Sequence, residues 1–186
     1  MIVSIILLSI ALSLDIYAIT VSSEMDNVTY RQKRWNVIFM FPLFQVIFML
    51  LGYLIGMGLA GMLGDMSQAM IFAIFAVIGL KLIWEAIKIK PDERIYFLDK
   101  FNILLSIALA AGFNTLIVAI GVYFASLPLL WILVGIFFSA LLMAMFGLFI
   151  KRNYGCRYKG MGQKILGGII LIGLGIYYLL RYRGIL

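Results

Sequence analysis

A single carboxylate dominates the chemistry this chain can offer. Asp15 lies in an apolar stretch, with Leu12, Leu14, Ile16 and Ile19 around it. A charged side chain at mid-bilayer costs about 2.5–3.5 kcal/mol on insertion scales. Such groups therefore face a bundle interior or an aqueous cavity and serve an ion, a proton or a partner. The stretch around Asp15 contains no Lys or Arg to neutralise it. Asn114, in Gly112-Phe113-Asn114, brings an amide with one oxygen acceptor and two donor hydrogens to a second apolar stretch. Ser13, Thr20 and Thr115 add hydroxyls, and Gln45 adds a second amide, whose plainer reading is a hydrogen bond between helices. Every candidate ligand is an oxygen donor. That set favours a hard or borderline divalent cation (Mg, Ca or Mn) over copper or zinc. Protonation of Asp15 would be one way to tie ion release to a proton gradient.

Other chemistries are excluded by composition. The chain has no histidine and one cysteine, Cys156, so imidazole and thiolate metal cages and an intrachain disulfide are ruled out. Serine-type and zinc-type intramembrane proteolysis lack their histidine, and an aspartyl dyad lacks a deep partner for Asp15, so no enzyme is expected. No P-loop is present, so ATP does not drive this chain directly. The eleven methionines are scattered and read as packing rather than as copper ligands. Lys81 and Glu85 are four residues apart and share a helix face. They read as a snorkelling, self-neutralising pair, or as a gate or proton-coupling site near the inner mouth. Asp65 reads as a solvated turn residue.

The elements that position these groups follow from hydropathy. Of 186 residues, 65% are hydrophobic and 12% charged, against about 25% charge in a soluble domain. Six apolar stretches are each long enough to span a bilayer as a helix: about Ile2 to Ser22, Asn36 to Ala60, Ser67 to Ile87, Asn102 to Ala125, Leu129 to Ile150 and Lys164 to Leu180. They lack the short polar-apolar alternation of an outer-membrane barrel. The expected fold is an all-α polytopic membrane protein over residues 1–186, its partner the lipid bilayer. The first stretch lacks a basic n-region and reads as a retained helix.

Twelve basic residues fall in the first, third and fifth loops, Lys164 counted among them. The second and fourth loops have none, and the tail has Arg181 and Arg183. The positive-inside rule puts the basic loops in the cytoplasm and both termini outside. The net charge of +7 then reflects loops facing anionic lipid and not a nucleic-acid partner.

The two halves share sequence words. Ser9-Ile10-Ala11-Leu12 returns as Ser106-Ile107-Ala108-Leu109. Ile78-Gly79-Leu80 with Trp84 returns as Ile172-Gly173-Leu174 with Tyr178. Matching Ala11–Asp15 to Ala110–Asn114 sets Asn114 opposite Asp15. Three spans per half imply two inverted three-helix repeats, residues 1–100 and 101–186, with a site at their interface. Gly52-x-x-x-Gly56, Gly58-x-x-Gly61 and Gly167-Gly168 with Gly173 and Gly175 allow close helix contact, within the chain or in a homodimer.

Four segments stand in register: Ala11-Leu-Ser13-Leu-Asp15-Ile-Tyr17-Ala18, Phe44-Gln45 followed by Gly52 and Gly56, Ile78-Gly79-x-Lys81-x-Ile83-x-Glu85, and Gln163 through Gly173. Together they resemble the MntP-type manganese efflux pumps, a family related to the LysE-type exporters. The resemblance implies six helices with both termini outside and export of Mn(II) across a bacterial cytoplasmic membrane, with Mn(II) as substrate and no resident cofactor. It further implies a cation path built on two Asp residues, one per repeat. Asp15 matches the first, and Asn114 stands at the second. Ser22-Ser23-Glu24 replaces the glycine-rich segment that follows the first signature. The alternatives are an exporter of another cation and a non-transporting scaffold, such as the sporulation-associated branch of the superfamily.

Overall fold

The structure is a computed structural model that describes residues 2–24, 27–63, 67–88, 96–97, 101–154 and 159–182. Asp65 and Cys156 lie outside the described residues. Six helices follow one another: α1 (Ile2–Val21), α2 (Asn27–Leu63), α3 (Ser67–Lys88), α4 (Phe101–Phe124), α5 (Leu129–Tyr154) and α6 (Lys159–Tyr182). All six are long and apolar enough to cross a membrane. Large apolar side chains such as Val77, Leu80, Trp84, Phe138 and Leu142 are exposed on their outer faces. That is the pattern of a protein whose outer solvent is lipid.

The helices overrun the apolar stretches where polar residues continue them. The second stretch was expected from Asn36, but α2 begins at Asn27, and α6 begins at Lys159 rather than Lys164. Hydropathy marks only the part in the membrane, whereas a helix continues until its backbone is capped or broken. α2 also runs through Pro42 without ending. At the end of α4, Ala125 N–H donates to Gly121 O and Ser126 N–H to Tyr123 O. Ser126 takes a left-handed φ of 52° two residues before Pro128. The all-α expectation needs one small amendment. Ser23–Glu24 (β1) pairs in parallel with Tyr96–Phe97 (β2), which brings the α1–α2 and α3–α4 connections together on one face.

α1 is the most deeply buried of the six helices. It packs against α5 and α6, α2 packs against α4 and α5, and α3 against α4 and α6. Exchanging α1 with α4, α2 with α5 and α3 with α6 converts this set of packed pairs into itself. Glycines set the closest approaches. A Cβ on Gly52 would meet Leu116 O and Ala119 of α4. One on Gly147 would meet Tyr17 O and Thr20 of α1. Leu116 and Ala119 stand 99 positions beyond Tyr17 and Thr20, the same offset that separates Asn114 from Asp15. On α3 and α6, a Cβ on Gly79 would lie 2.7 Å from Gly168 O, and one on Gly168 2.5 Å from Gly79 O.

Two of the sequence matches fall outside this packing register. The Ser9–Leu12 word is two positions out of the packing register, since Ser106–Leu109 lies 97 positions on. Gly79 and Gly173 also sit in different surroundings: Gly173 faces open space while Gly79 is pressed against α6. Gly52, Gly56, Gly167, Gly168 and Gly175 all pack inside the chain, leaving Gly58, Gly61 and Gly173 open. Most of the small-residue face considered for a homodimer is therefore occupied within one chain.

Candidate functional site: a closed ring of charges

Close helix contacts bring the site together. A Cβ on Gly167 of α6 would sit 2.8 Å from Ala11 O of α1. Four residues after Ala11 comes Asp15, and three before Gly167 comes Lys164. Both steps lead the same way along antiparallel helices, so the two side chains meet. Lys164 Nζ lies 2.9 Å from Asp15 Oδ1 and 3.1 Å from Glu85 Oε2. Glu85 Oε1 lies 3.6 Å from Lys81 Nζ, one turn back on α3. Lys81 Nζ donates to Asn114 Oδ1 on α4 at 2.5 Å, and Asn114 Nδ2 donates to Asp15 Oδ2 at 3.2 Å.

The five groups form a ring through α1, α6, α3 and α4. Two carboxylates and two ammonium groups make it formally neutral. That neutrality lets charge persist at this depth, where an unpaired ion would be costly. Burial is uneven around the ring. Asp15 and Lys164 are 6% and 8% exposed. The side chains of Lys81 and Glu85, nearer the end of α3, are 45% and 30% exposed.

Asp15 is thus not left without a cation, as its own helix alone implied: α6 supplies one. Lys164, counted with the fifth loop, is inside the bundle. Removing it from that loop leaves eleven basic residues against two, so the charge bias survives. Asp15 and Asn114, matched from sequence, are in hydrogen-bond contact. Lys81 and Glu85 keep their expected i, i+4 contact, and each also reaches beyond it.

The other candidate ligands are placed differently. Gln45 Nε2 donates to Leu12 O, one turn from Asp15, which is the interhelical bond of its plainer reading. Its buried Oε1 has no hydrogen-bond partner, and neither does the buried hydroxyl of Thr115. Ser13 Oγ donates to Ile10 O, and Thr20 Oγ1 donates to Ile16 O and lies 3.1 Å from Tyr17 O, so both are engaged by their own helix. Among the described residues, no group of three or more His, Cys, Asp or Glu side chains is placed to hold a metal. A cation here would have to be met by Asp15 and neutral oxygens.

Sequence reasoning missed Lys164. A partial signal existed: a buried Asp15 needs a countercharge, and the only basic residues within the bounds of the six stretches are Lys81 and Lys164, the latter at the very start of its stretch.

Six spans around a charge-balanced ring, buried at Asp15, Asn114 and Lys164, define a multi-pass membrane protein with a polar site in its interior. The family model described as "Putative manganese efflux pump" (Mntp) matches residues 28–179, and the chain belongs to this family. It is 26% identical over 180 residues to putative manganese efflux pump MntP 1 of Wolinella succinogenes, covering 97% of this chain and 98% of that one. It is 30% identical over 130 residues to the MntP of Corynebacterium glutamicum strain R, 68% of each chain. It is 24% identical over 183 residues to the MntP of Rhodopseudomonas palustris, 97% of this chain and 94% of that one. No solved structure matches the chain.

Proposed function

We propose that this chain is a secondary transporter that exports a divalent cation, Mn(II) first among them, from the cytoplasm. The observation that carries the reading is the meeting of Asp15 and Asn114 at 3.2 Å. One sits on α1 and the other on α4, at the register that the paired glycine contacts of Gly52 and Gly147 also follow. Asp15 is the anionic ligand, and Asn114 contributes its amide oxygen. Gln45 Oε1 and the Thr115 hydroxyl supply further neutral oxygens. Both oxygens are buried without a hydrogen-bond partner, which for a polar group costs about 1–3 kcal/mol. A cation satisfies such an acceptor directly. Ser13 retains a lone pair for the same purpose.

Residues 1–100 and 101–186 act as inverted repeats that rock about this site and open it to each side in turn. The self-exchanging pattern of packed helix pairs supports that arrangement. The basic loops face the cytoplasm and both termini lie outside, in a bacterial cytoplasmic membrane.

The test is tolerance of Mn(II) in a host lacking its own exporter. Wild type is expected to protect, and Asp15→Asn to lose protection completely while accumulating normally. Asn114→Asp restores a second carboxylate and is expected to keep or strengthen Mn(II) binding. Protection by Asp15→Asn equal to wild type would remove Asp15 from the mechanism.

One observation favours a second reading, a non-transporting scaffold of the same fold. Asp15 Oδ1 is already ion-paired with Lys164, without a hydrogen bond, and Oδ2 already accepts from Asn114. A chain fixed in that arrangement would move no ion, so flux in sealed vesicles separates the two readings.

A further inference from the structure

Lys164 stands between two carboxylates on different helices, 2.9 Å from Asp15 of α1 and 3.1 Å from Glu85 of α3. Its stem enters the bundle beside Gly167 and Gly168, where α6 lies against α1 and α3 at once. We propose that Lys164 is a tethered counter-cation that occupies Asp15 when no metal ion is bound and shifts onto Glu85 when one arrives. This rests on the reading of Asp15 as the cation ligand. A dication and an ammonium group cannot share one buried carboxylate without strong Coulomb repulsion, because the interior screens charge poorly. Occupancy of Asp15 is therefore exclusive.

Glu85 makes the exchange feasible. It already touches the ammonium, so the shift needs side-chain rotation and no new partner. It is also the more exposed of the two acids, so it can hold Lys164 together with Lys81 at lower cost. In the empty carrier the ammonium keeps the ring neutral. In the loaded carrier it competes for Asp15 and so favours release. Lys164 thus sets how tightly the cation is held, acting as a positioning and specificity residue rather than a ligand.

The proposal makes two predictions of opposite sign for Mn(II) binding to the purified full-length protein, followed by the electron paramagnetic resonance signal of free Mn(II). Lys164→Met removes the competitor and is expected to tighten binding at least tenfold. Glu85→Gln removes the alternative seat, holds Lys164 on Asp15, and is expected to weaken binding about tenfold. In the Lys164→Met background, Glu85→Gln is expected to lose its weakening effect, because there is no longer an ammonium for Glu85 to draw off Asp15. Lys164→Arg keeps the charge and is expected to stay within about threefold of wild type.

Equal or weaker binding by Lys164→Met overturns the proposal, as does unchanged or tighter binding by Glu85→Gln. Weakening by Glu85→Gln in the double variant overturns it too, by making Glu85 a ligand. If Lys164→Met does not fold, Glu85→Gln and Lys164→Arg decide alone. Failure of the underlying reading looks different: Asp15→Asn would then bind Mn(II) as wild type does.

Discussion

The two ends of the α3–α6 contact are built from opposite materials. Gly79 and Gly168 press against each other's backbone at its centre. Equal steps along the two helices from this pair give matched positions with unlike residues. Lys164 lies four residues before Gly168, and Phe75 four before Gly79. Lys81 lies two after Gly79, and Ile170 two after Gly168. Glu85 and Leu174 each lie six after. One end therefore carries the charged ring. The other carries Phe75 and Leu174 in the apolar core, with Ile170 packed against it and the Phe75 ring edge-on to Tyr178 at 6.4 Å. Beyond that core, at the α4–α5 end, a cavity of about 590 Å³ is lined by Tyr53, Ala60, Tyr123, Phe124, Ser126, Leu127 and Pro128, with no charged side chain among them.

The set of packed helix pairs maps onto itself when the halves are exchanged, while the side chains at the matched positions of α3 and α6 differ. If the cation path proposed above runs between these ends, each end closes it by different means. The apolar seal is held by close packing and has no electrostatic affinity for a cation. The charged seal is held by ion pairs that a cation can exchange with. An exporter with this design would capture at the charged end and release through the apolar one.

The contrast can be broken by importing charge into the apolar seal. Phe75→Lys puts an ammonium where Phe75 is fully buried, with no acid at the matched partner position. It is expected to abolish folded yield, read by size-exclusion chromatography of a fluorescent fusion. Adding Leu174→Glu rebuilds the Glu85–Lys164 pairing at the other end and is expected to recover part of that yield. No recovery would mean that the matched positions do not share a geometry.

The matched contacts can be sharpened at the glycines. Gly52→Ala and Gly147→Ala each drive a Cβ into a neighbouring helix. Both are expected to cost roughly 1–3 kcal/mol, seen as similar drops in melting temperature. Gly173→Ala, with nothing within 4 Å, is expected to leave it unchanged. Unequal drops at Gly52 and Gly147 would weaken the case for equivalent contacts.

The spans were legible because bilayer solvation is written in hydropathy, and Asp15 was legible because one charge in an oily stretch is conspicuous. Asn114 followed from matching the halves. Lys164 was not legible: near a helix start, beside a basic loop, it has the same local sequence as a snorkelling lysine. Only the α1–α6 approach at Gly167 shows that it points inward to Asp15. The register of the halves was half legible. Short apolar words matched at three offsets, and the glycine contacts of Gly52 and Gly147 favour the one that joins Asp15 to Asn114.

The most direct test of a cation site at Asp15 and Asn114 is Mn(II) flux into sealed vesicles carrying the purified chain with its cytoplasmic face outward. Wild type is expected to accumulate Mn(II) in the vesicle lumen, Asn114→Asp to do so as well, and Asp15→Asn to fall to the level of empty vesicles. Accumulation by Asp15→Asn at the wild-type rate, or none by wild type itself, would contradict the account.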